Sequence, residues 1–114
     1  MDKVTRYKNI IREILYSIAD RKRTNFPEVK TFVIEDQEKG HFLLFKDGWK
    51  DDVHRFYGCP LHLGVNEDGK VYLYYDMTED EIGQQLLDKG VTREDLVPAF
   101  QPPSMRMEMG FAVS

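Results

Sequence analysis

The chain is nearly devoid of cysteine, with one, Cys59, in 114 residues. That excludes an intramolecular disulfide framework and any zinc site built on several thiolates. No apolar run approaches the roughly 18 residues a membrane helix needs. The opening MDKVTRYKNI lacks the apolar stretch of a secretory signal. These absences set the expectation of a soluble, cytoplasmic protein. No GxGxxG, P-loop, HExxH or GxSxG pattern occurs, and no nucleophile stands beside an evident base. Internal repeats, linkers and low-complexity segments are also missing.

What is present suits one domain over residues 1–114. Apolar residues make up 41% and charged residues 32%, enough for a core and against wholesale disorder. A chain of this size buries roughly two-thirds of its unfolded surface without needing disulfides or metal. The net charge of −4 hides an asymmetry. Residues 1–30 carry eight Lys or Arg against four Asp or Glu, and residues 31–114 carry eight against sixteen. A pI near 5.3 argues against a stand-alone DNA-binding protein without excluding one basic face. The cations Lys3, Arg6, Lys8, Arg12, Arg21, Lys22 and Arg23 are the candidate nucleic-acid contacts. Their plainer role, the solvated side of an amphipathic helix, weighs more.

Val4, Tyr7, Ile11, Ile14, Leu15 and Ile18 form a stripe at helical spacing and predict a helix from Val4 to about Arg23. Arg21, Lys22 and Arg23 would then complement its C-terminal dipole, and Pro27 forbids continuation. From Val29 the period changes to two, predicting a strand to Ile34 with Val29, Thr31 and Val33 on one face. Gly40 supplies a hairpin turn, and His41 to Phe45 return, with Asp47-Gly48 ending that strand near Trp49. A third strand starts at Val53 and is interrupted by Gly58 and Pro60, which suggest a bulge or bend. Leu61, Leu63 and Val65 resume one face. Asn66-Glu67-Asp68-Gly69 is a hairpin turn, and Val71, Leu73 and Tyr75 point inward on a fourth strand while Tyr72 and Tyr74 point away. Thr78 and Glu81 read as a capping box opening a helix to about Lys89, closed by Gly90 and Val91. Thr92 opens a further short turn. Pro98, Pro102 and Pro103 predict an extended tail from Met105 to Val113. The expected fold is α+β: a four-stranded antiparallel meander covered by an N-terminal helix and a second helix after the sheet.

Chemistry-bearing groups are few, and no catalytic, metal-binding or cofactor-binding residue is assigned. Cys59 and His62 have CxxH spacing, but residues three apart on a strand face opposite ways, and a zinc site needs a third ligand that nothing about His41 or His54 compels. The plain reading is a buried structural thiol beside a strand histidine. Asp76, Glu79, Asp80 and Glu81 could hold a cation, yet capping and the helix dipole explain most of them. Trp49 reads as a core residue before an interface residue. Tyr72, Tyr74, Met105, Met107 and Met109 suit an apolar patch used as an interface. The tail is expected to pack on its own domain, or else to build a homodimer or partner contact with Arg106 set against a carboxylate and Phe111 buried.

Several runs together resemble the XisI family. They are Tyr57-Gly58-Cys59-Pro60-Leu61-His62-Leu63, Asp68-Gly69-Lys70-Val71-Tyr72 and Asp76-Met77-Thr78-Glu79. Gly90 through Val97, Phe100-Gln101-Pro102-Pro103, Arg106 and Gly110-Phe111-Ala112-Val113 continue the likeness, as do Tyr7 through Ile11 and Gly48-Trp49. Relatives more often carry Trp at Tyr72, Gly at Met77, Asp at Gly64 and Ala at Ser114. The resemblance implies an α+β fold and a role as an fdxN-element excision controlling factor. It also implies action with a companion, XisH, that resembles the restriction-endonuclease-like superfamily, in a DNA rearrangement during cell differentiation in cyanobacteria. It thus implies a non-enzymatic accessory protein without cofactors that meets DNA indirectly, through its partner. Direct DNA binding by the N-terminal helix is the alternative, and a small enzyme or metal site around Cys59, His62 and Asp76 a third. The candidate partner-contact residues are Trp49, Tyr72, Tyr74, Met105, Arg106, Met107 and Phe111.

Overall fold

Helix α1 (Lys3–Ala19) begins where Asp2 caps it, its carboxylate accepting the Thr5 N–H at 2.7 Å. The computed structural model describes residues 2–21 and 26–114. Of the predicted stripe, Tyr7, Ile11, Ile14, Leu15 and Ile18 are buried, Val4 is only partly buried against the core, and Ile10 joins the buried set. The helix stops at Ala19, so Arg21 lies beyond its last turn. Lys22 and Arg23 fall outside the described residues.

The stripe packs on a five-stranded sheet of order β1-β2-β3-β4-β5. Its strands are β1 (Lys30–Asp36), β2 (His41–Trp49), β3 (Arg55–Val65), β4 (Val71–Asp76) and β5 (Leu96–Val97). The first four form the expected antiparallel meander; β5 is an addition and pairs parallel to β4, with Val71 opposite Leu96 and Tyr72 opposite Val97. A crossover through α2 (Ile82–Asp88) makes that parallel pairing reachable. Phe42, Leu44, Leu61, Leu63, Val65, Val71 and Leu73 meet the helix, and Ile82, Leu86, Val91 and Leu96 close the core.

Strand β2 does not end at Asp47-Gly48. Gly48 is buried within it because Glu28 and Val29 pass so close that a Cβ would run into their backbone. Likewise β3 begins at Arg55, leaving Val53 exposed, and runs unbroken through Gly58 and Pro60. The irregularity expected there is a register shift against β2 between Leu44 and Lys46. A second shift, in β3–β4 between His62 and Leu63, turns Tyr75 out to solvent rather than inward.

The capping box does not form. Helix α2 starts at Ile82, and its N-cap is Glu81 in a left-handed conformation, φ 50°, with no side-chain cap. The Thr78 hydroxyl instead donates to Asp76 at 2.6 Å, and the Thr78 N–H donates to the same oxygen at 2.8 Å. These two bonds build a local turn ahead of the helix. The helix C-terminus follows the expected Gly90–Val91 pattern. Gly90 has φ 117°, its N–H reaches Leu87 O, and the Val91 N–H reaches Leu86 O. The tail is not extended: Pro103–Glu108 form helix α3, with Pro102 as N-cap. Proline is compatible with a first helical turn, whose N–H groups have no intrahelical acceptor.

Candidate interaction surface

Strand alternation that sends Phe42 and Leu44 to the core sends Leu43 and Phe45 to the opposite face. Among the described residues no helix covers that second face. Cross-strand register aligns Phe32 with Phe45, Ile34 with Leu43, Leu43 with His62, Asp47 with Tyr57, and Trp49 with Arg55. The result is an aromatic and apolar surface running across β1, β2, β3 and β4.

The rings touch in two groups. Phe32 and Phe45 have centroids 5.6 Å apart, and Tyr57 meets Phe45 edge-on at 4.9 Å. Arg55 lies over both Trp49 and Tyr57, at 5.5 and 4.9 Å, while ion-paired to Asp47 at 2.6 Å. Trp49 is 48% exposed and Tyr57 66% exposed, so Trp49 is not the core residue expected. It sits at the end of β2 on the open face.

The second group joins His41, His62, Tyr74 and Tyr72. His41 Nδ1 and His62 Nε2 are 3.0 Å apart, so one donates and the other accepts. Burial, and then the charge of His41, hold His62 below the ordinary imidazole range. Tyr74 lies 4.6 Å from the His62 ring and stacks on Tyr72 at 5.6 Å. Gly64 makes room for this: a Cβ there would sit 2.8 Å from the Tyr74 ring. Asn66 donates to the Tyr72 hydroxyl at 2.9 Å.

The other candidate residues are dispersed. Cys59 is half-buried and donates to Leu61 O at 3.2 Å, and burial raises its thiol above the ordinary range. His62 turns to His41, Asp76 to Thr78, and His54 to Asp51. Among the described residues no three His, Cys, Asp or Glu are placed to hold a metal ion. Asp80 pairs with Arg21 at 2.8 Å.

The basic residues of the first helix and its exit are committed to acceptors of the same domain. Lys3 pairs with Asp95 at 3.2 Å, Arg6 donates to Gly90 O, Lys8 to Gln37 O, and Arg12 pairs with Glu35. Burial pushes the Glu35 carboxyl up, but Arg12 and the Tyr16 hydroxyl outweigh it and hold it below the ordinary range.

Among the described residues Arg106 meets no carboxylate. Its guanidinium donates to four backbone carbonyls: Gln101 at 2.8 Å, Val113 at 2.6 Å, Ala99 at 3.2 Å and Pro98 at 3.3 Å. Phe111 packs against the core beneath Arg93, and the Ala112 N–H reaches Leu96 O at 3.0 Å. Arg106 and Phe111 thus fasten the tail to its own domain. Met105 and Met107 of α3 stay exposed.

Sequence reasoning reached Trp49, Tyr72 and Tyr74 but missed Phe32, Ile34, Phe45, Tyr57 and the His41–His62 pair. The signal was available in HFLLF and KTFVIED. Both are apolar on each face, which marks strands with something to cover on both sides.

A sequence model described as "XisI protein" matches residues 1–113. Two solved structures from Anabaena variabilis share the fold. One, titled a XisI-like protein, is 26% identical with a TM-score of 0.84, covering 97% of this chain and 99% of its own. The other, titled fdxN element excision controlling factor XisI, is 28% identical with a TM-score of 0.79, covering 99% of this chain and 100% of its own. No curated protein matches.

Proposed function

The chain belongs to the XisI family, and from that premise we propose that it is a non-enzymatic accessory protein controlling a DNA excision event. It does so by binding a XisH-type, nuclease-like partner through the open face of its sheet. The observation that carries this reading is the row of half-exposed rings from Trp49 and Tyr57 through Phe45 and Phe32. Exposed aromatic surface with balanced charge, the Arg55–Asp47 pair at one end and Lys30 and Asp36 along β1, has the composition of a protein interface. It lacks the excess of cations that a phosphate backbone requires. The acidic balance of residues 31–114 suits a partner whose own surface is basic, so that DNA contact is made by the partner. Met105 and Met107 offer a further apolar contact at the far end of the chain.

Co-purification with the XisH-type protein, with and without DNA, tests this. The complex should form without DNA, and Trp49→Ala with Tyr57→Ala should weaken it by at least about tenfold. Full affinity in that double variant removes the open face from the reading. Steeply salt-dependent binding of duplex DNA by this chain alone would replace it with direct contact through Lys3, Arg6, Lys8, Arg12 and Arg21.

A further inference from the structure

The two edges of the sheet are treated differently. At one edge β5 has two residues, and the tail covers it through the Ala112 N–H bond to Leu96 O. At the other, β1 runs seven residues in unbroken register with β2, from Lys30↔Asp47 to Asp36↔His41. It carries no proline and no bulge, and Phe32 and Ile34 are exposed on it. Among the described residues nothing pairs with its outer side. Its one inward-facing charge, Glu35, is ion-paired to Arg12 and accepts a hydrogen bond from the Tyr16 hydroxyl. A long, regular, partly apolar edge is a template for another strand.

We propose that a second copy of this chain occupies that edge, joining two sheets through antiparallel β1 strands about a two-fold axis at Val33. The strand's own sequence, Lys-Thr-Phe-Val-Ile-Glu-Asp, names the occupant. A two-fold axis perpendicular to the sheet keeps each face on its own side, so a β1 residue can oppose only one of matching parity. Centring on Val33 pairs all seven residues. Lys30 of each copy then lies opposite Asp36 of the other, and Phe32 opposite Ile34. Opposite charges close both ends, and apolar pairs flank the centre on the open face. Asp36 is held ready, since its carboxylate accepts the Lys39 N–H at 2.9 Å. The dimer is a ten-stranded sheet whose two aromatic faces lie side by side. It goes beyond the proposed partner binding and stands without it.

Sedimentation velocity over a concentration series tests the proposal on the full chain. The wild-type protein should dimerise. Ile34→Lys, an exposed position, should sediment as a monomer with unchanged circular dichroism. Lys30→Asp and Asp36→Lys should each weaken self-association by at least about tenfold, because like charges then oppose at both ends. Mixing those two variants should restore a dimer, since each supplies the charge the other needs. A wild-type protein that stays monomeric throughout overturns the proposal. So does a dimer that survives Ile34→Lys, one lost on removing residues 104–114 but not on Ile34→Lys, or a mixture that fails to associate.

Discussion

Tyr7 and Asp95 stand 88 positions apart in the chain, and the Tyr7 hydroxyl donates to the Asp95 carboxylate at 2.5 Å inside the core. Lys3 adds a 3.2 Å ion pair to the other oxygen. Burial pushes the Asp95 carboxyl up, but the Tyr7 and Lys3 hydrogen bonds outweigh it and hold it below the ordinary range. Tyr7→Phe should therefore cost about 2 kcal/mol in urea unfolding, the scale of a hydrogen bond to a buried charge. A carboxyl held low in the fold contributes stability that is present above about pH 4 and lost as pH falls through its folded value. Asp95→Asn should flatten that acid limb; an unaltered acid limb would assign it to other carboxylates.

The His41–His62 pair predicts a separate, milder acid response. His62 is held low in the fold, so the unfolded chain takes up its proton first as pH falls. Stability should be full above about pH 6.5 and decline as pH drops toward the folded value. Asp95, held below the ordinary carboxylate range, loses its contribution at lower pH, which keeps the two limbs distinct. Thermal melting from pH 7.5 to 5 should show the decline, and His62→Gln should remove it. A decline that persists in the variant refutes the assignment.

Arg106 should not be replaceable by lysine. Its planar guanidinium serves four carbonyls that converge from Pro98, Ala99, Gln101 and Val113, and an ammonium cannot match that fork. Arg106→Lys should cost about 2 kcal/mol and increase proteolytic nicking between residues 99 and 113. Removing residues 104–114 should lower the melting temperature. An unchanged melting temperature would mean that the tail contributes nothing to the domain.

Glu81 offers a stabilising substitution. It opens α2 at φ 50° without a side-chain cap bond, a conformation that disfavours L residues with a Cβ. Glu81→Gly should gain about 0.5 kcal/mol, the relief of that strain less the entropy glycine adds to the unfolded chain. Thr78→Ala should act through the Asp76 turn, not through a helix cap, so Asp76→Ala combined with it should cost little more than either alone. Additive losses in urea unfolding would contradict this coupling.

How much was legible follows from the range of each interaction. Helix α1, the hairpin turns at Gly40 and Gly69 and the Gly90 stop rest on neighbours a few positions away, and periodicity with those glycines announced them. Parallel strand β5 depends on α2 returning Leu96 to Val71, a pairing no local pattern encodes. Pro102 and Pro103 looked like helix breakers, yet they stand as N-cap and first residue of α3, whose place is held by Arg106 gathering the tail. Thr78-Glu79-Asp80-Glu81 matched a capping box, but Glu81 turns left-handed and opens the helix itself, and the Thr78 oxygen, its proton given to Asp76, accepts the Asp80 N–H at 3.3 Å instead of that of Glu81. Trp49 was misplaced because Gly48 appeared to end β2, whereas it lets the Glu28–Val29 backbone pass beside a strand that continues. The interface candidates divided for the same reason: Tyr72 and Tyr74 answer to strand alternation, whereas Arg106 and Phe111 answer to tertiary contacts.

The parallel strand β5 also sets an order of events during biosynthesis. Helix α1 leaves the ribosome before the sheet does, carrying an apolar stripe that cannot be covered until the meander follows it. Even then Tyr7 waits for residue 95, and the β4 edge waits for Leu96 and Val97. Pairings of such long sequence separation close late and slowly. A nascent chain halted before residue 95 should therefore be a chaperone client with an exposed helix stripe and an open β4 edge. Closure of the core in this domain therefore waits on Asp95, Leu96 and Val97, however early the helix and the meander have formed.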